Sequence, residues 1–324
     1  MIRYLTGRFA QTVVVVLLVT TIAFFLIHAP PGDPFGVAMD NPNITEAVRA
    51  QWRAAYGLDR PLPEQFVRYI ASVARGNLGW SYSHQRAVSS VLKEALPNTL
   101  LLMSVALAAS FVLGIFLALV QALKPKSITD RVISGVSLFF FSMPEFWFAM
   151  MAMFLLAYRL QLFPISGMRD EVMYDSYGTI QRFTDVLRHL ILPALTLTLL
   201  YSAVVARYQR AALLDTLPSD YIRTARAKGA KEHAILRRHA LRNALLPTIT
   251  LFGLAFPALL TGAVFVEKVF AWPGMGGIIV DSIGSRDYPL LVASVIVGSV
   301  LVALGSLIAD LLYRVADPRL RDDY

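Results

Sequence analysis

The sequence predicts an all-helical, polytopic membrane protein, and three observations carry the prediction. Of its 324 residues, 56% are apolar or aromatic and 16% are charged, against about 45–50% and about 25% in an ordinary soluble domain. The apolar residues gather in runs of the length a helix needs to cross a hydrocarbon core of about 30 Å. The formal charge of +8 is concentrated between those runs. The chain also has no cysteine, which excludes disulfides, thiolate metal sites and cysteine nucleophiles.

Six runs are candidate spans: 9–27, 99–120, 132–158, 190–206, 248–266 and 290–312. Arg3 and Arg8 ahead of the first run suit a secretory signal. The run is longer than a signal core, however, and ends in His28-Ala29-Pro30-Pro31 instead of a small-residue cleavage site. It is read as a retained first membrane helix over 1–28. The segment 29–98 follows as an extracytoplasmic unit of two short amphipathic helices. Asn43-x-x-Glu46 resembles a capping box, Val48, Trp52 and Tyr56 repeat at four-residue spacing, and Gly57 suits a helix end. The second begins near Pro63, shows Phe66, Ile70 and Val73 on one face and ends at Gly76.

The remaining five spans form a core over 99–324. The third is long enough to tilt or to kink at Pro144, and the fourth is short. Six spans place both termini on one side, and basic residues choose the side. With cytoplasmic termini, the inner segments hold 17 of the 30 basic and seven of the 22 acidic residues, and the outer segments hold 13 of each. The inner face is therefore strongly positive and the outer face neutral. Basic residues facing anionic lipid or a cytosolic partner explain the charge, and no nucleic-acid-binding motif appears.

Nine basic residues fall within the single inner segment 207–247. Pro218-Ser219-Asp220 is a helix-start signal, Tyr221 to Lys228 allows two turns, and Gly229 permits the left-handed conformation that ends a helix. A second helix is expected from Ala230 to Leu246, with Ile235, His239 and Arg242 at helical spacing. Arg223, Arg226, Lys228, Arg237 and Arg238 form either a solvated basic face or a surface that a soluble partner grips.

The run DYIRTARAKGA at 220–230 and RRHALRNALLPTIT at 237–250 resemble the cytoplasmic signature of ATP-binding-cassette importer permeases. The specific likeness is to the B-type permease of the oligopeptide and dipeptide (peptide/nickel) importer family. It extends over PGDP at 31–34, GLDRPLPEQFVRYI at 57–70, LPNTLLL at 96–102 and HLILPALTL at 189–197. It continues through GAVFVEKVFAWPGMGG at 262–277, RDYPLL at 286–291 and DLLYRVADPRLR at 310–321. One departure is visible: where the general signature has Glu-Ala-Ala ahead of its glycine, this chain has Arg223, Thr224 and Ala225.

The resemblance implies a permease subunit in the cell membrane that carries a peptide. Its partners would be a homologous second permease, two ATP-binding-cassette ATPases, an extracytoplasmic substrate-binding protein and the lipid bilayer, with no nucleic acid. The helix carrying Tyr221, Arg223, Thr224, Ala225, Arg226, Ala227, Lys228 and Gly229 would be the coupling helix, docked in a cleft of an ATPase. Ala225 and Ala227 would allow close approach, and Arg223, Arg226 and Lys228 would meet acidic residues. No GxxxxGK[ST] phosphate loop occurs, so the chain is expected to be no enzyme and to hold no cofactor. ATP and magnesium would be bound by the partner ATPases. A nickel chelate, glutathione or another small solute is an alternative cargo, and an ATPase-independent channel or secondary transporter an alternative class.

Glu145, directly after Pro144 inside the third span, is the ionisable residue to explain. It either lines the translocation path or pairs with another helix or with the second permease. Glu267, Trp272, Pro273 and Gly274, after the fifth span, either shape an outer gate or serve loop structure and interfacial anchoring. Asp310 is expected to pair with Arg314. The five histidines, at 28, 84, 189, 233 and 239, form no metal-ligand spacing, and no GxSxG nucleophile elbow occurs.

Overall fold

The computed structural model describes residues 2–28, 60–255 and 263–316. The helix expected over 43–57 and the pairing of the Asp310 and Arg314 side chains lie outside the described residues. Helix α1 (Ile2–His28) satisfies its own hydroxyls: Thr20 and Thr21 donate to the carbonyls of Val16 and Leu17 at 2.7 Å, as polar groups in lipid must. Helix α2 (Leu62–Ala74) opens with Pro63 in its first turn, and Gly76 beyond its end adopts φ 77°. It lies on α1 through the Phe24 ring, 5.3 Å from Phe66 and 5.5 Å from Tyr69.

A feature outside the all-helical expectation follows. Strands β1 (Trp80–Ser81) and β2 (Arg86–Ala87) pair antiparallel, Trp80 opposite Ala87. The buried Asp287 carboxylate holds this hairpin, accepting from Ser81 Oγ at 2.6 Å, Ser83 N at 3.0 Å and Ser83 Oγ at 2.7 Å. Two residues per strand is too short a run to be visible as alternation in the sequence.

Helix α3 (Val88–Leu123) starts well before the predicted span and carries Pro97 inside it. At 1.5 Å per residue it is about 54 Å long, so its two ends define two faces of the molecule. Its first turns pack with the hairpin-side elements, while Ala118 and Ala122 pack with the 207–247 region. The third run is not one tilted helix. Helix α4 (Ile128–Ser142) stops at Met143-Pro144, and α5 (Glu145–Ala152) leaves at 104° to it before finishing in a π-helical turn (Met153–Arg159). Proline at 144 has no amide to donate and disfavours helical geometry in Met143, whose ψ is 131°. Asp130 in the first turn of α4 meets Arg210, and Gly167 beyond α5 donates to Phe270 O at 2.8 Å.

Helix α6 (Thr179–Thr216) is 38 residues long and continues ten residues past the predicted span. It is the central element and packs along α3 more extensively than any other described pair of helices. The two approach closely because Gly114 has no side chain: a Cβ there would lie 2.6 Å from Val205 Cβ and 2.9 Å from Ser202 O. Without a hydrophobic driving force between helices in lipid, such small-residue contacts supply the packing energy.

The expected second helix of the 207–247 region begins later than Ala230 and is interrupted. Helix α7 (Asp220–Ala227) is followed by α8 (Glu232–Ala234), a π-helical turn (Ile235–Ala240), α9 (Leu241–Ala244) and α10 (Leu246–Ala255). Then come α11 (Val264–Val269), α12 (Met275–Gly284) and α13 (Tyr288–Ala316), the last lying against α1. Three described helices, α3, α6 and α13, are each long and apolar enough to cross a membrane, and α4 with α5 makes a fourth if the bent pair is one span.

Candidate functional site

Helix α7 projects from the end of the molecule where α3 finishes. Ser219 is its N-cap, its hydroxyl turned back to Thr216 O at 2.6 Å, and Gly229 closes it with φ 82°. No heavy atom lies within 4 Å of where a Cβ at Gly229 would be. Conformation, not space, therefore demands glycine there. One face of α7 is inward. Ile222 is fully buried with Ala118, Leu213, Ile235, Leu236 and Ala240, and Ala225 packs on the same cluster half-buried.

The other residues expected in coupling point outward: Tyr221, Arg223, Thr224, Arg226, Ala227, Lys228 and Gly229 are all exposed. Four of them are already engaged within the chain, Thr224 donating to Asp220 O at 2.9 Å. Arg226 forks onto Glu232, Nε to Oε1 at 2.7 Å and Nη2 to Oε2 at 3.2 Å, and Asn243 Nδ2 donates to Tyr221 Oη at 2.7 Å. The Arg226 guanidinium holds the Glu232 carboxyl below the usual carboxylate range. Arg223 meets only its neighbour Asp220, at 3.3 Å.

Behind α7 is a buried ionic junction that the sequence did not single out. Asp130, in the first turn of α4, receives Arg210 of α6 bidentately, Nε to Oδ1 and Nη2 to Oδ2, both at 2.8 Å. Gln121 Nε2 of α3 and the Lys126 amide add bonds of 3.1 Å and 2.8 Å. These donors hold the carboxyl down at about 2, with Arg210 the largest cause. A cleft of about 310 Å³ opens beside the junction, lined by Ser134, Ser137, Phe141 and Arg207. The Arg207 guanidinium carbon is 5.8 Å from the Phe141 ring centre, within cation–π range. Asp130 and Arg210 are 80 residues apart, and only α4 and α6 coming together reveals the pair.

At the opposite end, Glu267, Trp272, Pro273 and Gly274 form one knot with the start of the predicted second span. The fully buried Glu267 carboxylate accepts Thr99 Oγ1 at 2.7 Å on Oε1, and the amides of Gly276 and Gly277 at 2.7 Å and 3.2 Å on Oε2. It thereby serves as the capping acceptor of α12, a task ordinarily done by the N-cap side chain, which Gly274 lacks. A Cβ at 274 would lie 2.5 Å from both Glu267 and Thr99. Trp272 Nε1 donates to Asn98 O, and Asn98 Nδ2 to Pro273 O, both at 2.9 Å. A polar cleft of about 790 Å³ lies over this knot, with Arg86, Glu94, Arg169, Lys268 and Asp281 in its wall. Glu145 belongs to neither end. It opens α5 at the 104° bend, and its Oε1 is buried without a hydrogen-bond partner. No group of three or more metal-ligating side chains occurs among the described residues.

Long apolar helices, a broken span and a capped helix on the basic segment are the parts of a membrane transport subunit. The family described as binding-protein-dependent transport system inner membrane component matches residues 110–322, and the N-terminal part of that component matches residues 1–103. The chain belongs to this family, the multi-pass inner-membrane permeases of ATP-binding-cassette importers. Among its relatives are the oligopeptide transport system permease protein AppB of Bacillus subtilis, 39% identical over 99% of both chains, and the di/tripeptide permease DppB of Pseudomonas aeruginosa, 36% identical over 99% of both. The dipeptide permease DppB of Escherichia coli is 34% identical, again over 99% of both.

Proposed function

We propose that this chain is the peptide-conducting permease of an ATP-driven importer, pairing with a homologous second permease and moved by two partner ATPases through α7. The observation that carries the reading is the construction of α7. It begins at Ser219 and is closed by Gly229, is fixed on the ends of α3 and α6 by Ile222, and presents Arg223, Thr224, Ala227 and Lys228 outward. Force on that outward face reaches the central helix pair through a packed cluster, which is what a rigid-body change of access requires. The names of the relatives, oligopeptide, di/tripeptide and dipeptide permeases, favour a short peptide as cargo. The basic excess of the segments that hold α7 and both termini supports a cytoplasmic position for them. The cleft over Glu267 and Trp272 then faces outward, toward a substrate-binding protein.

Six crossings, one for each apolar run of the sequence, complete the reading, α4 and α5 together serving as one. ATP and magnesium are handled by the partners, since this chain carries no phosphate loop. Glu145 lines the path: a carboxylate at a helix break, with one buried oxygen unpartnered, is placed to meet the charged amine of a peptide. The test is uptake of a labelled dipeptide into vesicles containing the assembled importer. Glu145→Gln is expected to reduce uptake of free-amine peptides more than of N-acetylated ones; a ratio of the two unchanged from that of the unaltered protein removes Glu145 from the path.

A further inference from the structure

Gly229 is a swivel. Its positive φ turns the chain between α7 and α8, and no side chain packs around it. The backbone bonds at the turn, Lys228 N to Thr224 O, Gly229 N to Arg226 O and Ala230 N to Ala225 O, at 3.0–3.2 Å, close the helix without fixing how it is pitched against the next one. Two side-chain bonds add to the apolar packing of Ile222 and Ala225 in setting that pitch. At the last turn of α7, Arg226 is held by both oxygens of Glu232 in the first turn of α8. At the first turn, the Tyr221 hydroxyl is held by Asn243 in α9. With Ile222 buried between them, α7 is fastened at both ends and in the middle. The Arg226–Glu232 pair is half exposed, so it adds little to stability, and its use must lie in geometry.

We infer that Glu232 and Asn243 are positioning residues that fix the pitch of α7, and that Arg226 is committed to this brace and withheld from the ATPase. The inference rests on the docking of α7 proposed above, and narrows the docking cations to Arg223 and Lys228. In the assembled importer, Glu232→Gln is expected to leave ATPase co-purification at its normal ratio while transport per ATP hydrolysed falls about fivefold or more, the scale of ordinary inter-site coupling. The exchange Arg226→Glu with Glu232→Arg rebuilds the pair in reverse and is expected to bring the ratio back within about twofold of normal. Asn243→Ala is expected to act in the same direction as Glu232→Gln. An unchanged transport-to-ATP ratio in Glu232→Gln, or an exchanged pair as uncoupled as the single variant, overturns the brace. Arg223→Glu with Lys228→Glu separates the two ideas. If that variant still binds and couples the ATPases, docking itself is wrong; if it loses them while Glu232→Gln stays coupled, only the brace is wrong.

Discussion

Asp130 gathers more polar contacts than any residue the sequence reading selected, and its charge is the reason. Arg210 meets it through two parallel bonds of 2.8 Å, and Gln121 and the Lys126 amide take the remaining lone pairs. Asp130→Asn leaves Arg210 facing a neutral amide that also presents a donor, and should cost about 1.5–3 kcal/mol of stability, read from thermal unfolding of the two purified proteins at neutral pH. The pH dependence has a definite sign. The folded carboxyl is held down at about 2, below its ordinary 3.8, so its stabilisation is complete above about 4 and is lost as pH falls toward 2. The gap between wild type and Asp130→Asn should close over that window; a gap constant down to pH 2 would mean the junction is not ionic. Neither residue is conspicuous in the sequence, because an aspartate at a helix start and an arginine at a helix end are ordinary until the fold brings them together. Glu145 was the reverse case. An acid inside an apolar run can be read without any structure, and the structure adds the bend at which it sits.

Helix α7 was legible almost to the residue, since its caps are local. Ser219 begins it, Gly229 ends it and the periodicity between them is short-range. Which side faces a partner was not legible, because that depends on where α3 and α6 end. Ala225 belongs to the inward face with Ile222, so Ala225→Glu should release α7 from the bundle, and limited proteolysis should cut near residue 225 in the variant but not in the parent. Gly229→Ala keeps the packing and strains the turn by about 1–2 kcal/mol, and should lower coupling without that proteolytic signature. The third span shows the same division. Pro144 announced a break, while the 104° angle was not legible; Phe140 meets Phe148 across the bend at 5.3 Å between ring centres. Between α3 and α6, Gly114→Val should cost about 1–3 kcal/mol by overpacking, since even one added carbon would overlap Val205.

Over the whole molecule, apolar runs revealed where helices lie, because lipid imposes one length on all of them. They did not reveal how far α3 and α6 continue past the apolar runs, since those extensions carry charged residues such as Lys93, Glu94, Arg182 and Asp215. The result is two long helices that join the knot built on Glu267 and Thr99, at one end, to the cluster carrying α7 at the other. In the proposed mechanism a change of pitch at one end would be carried along these helices to the other. The most direct measurement is uptake of a labelled dipeptide into proteoliposomes holding this chain, its second permease and the binding protein, with and without the ATPases. Accumulation that requires both the ATPases and ATP is the predicted result; equal accumulation by the permeases without any ATPase would contradict it.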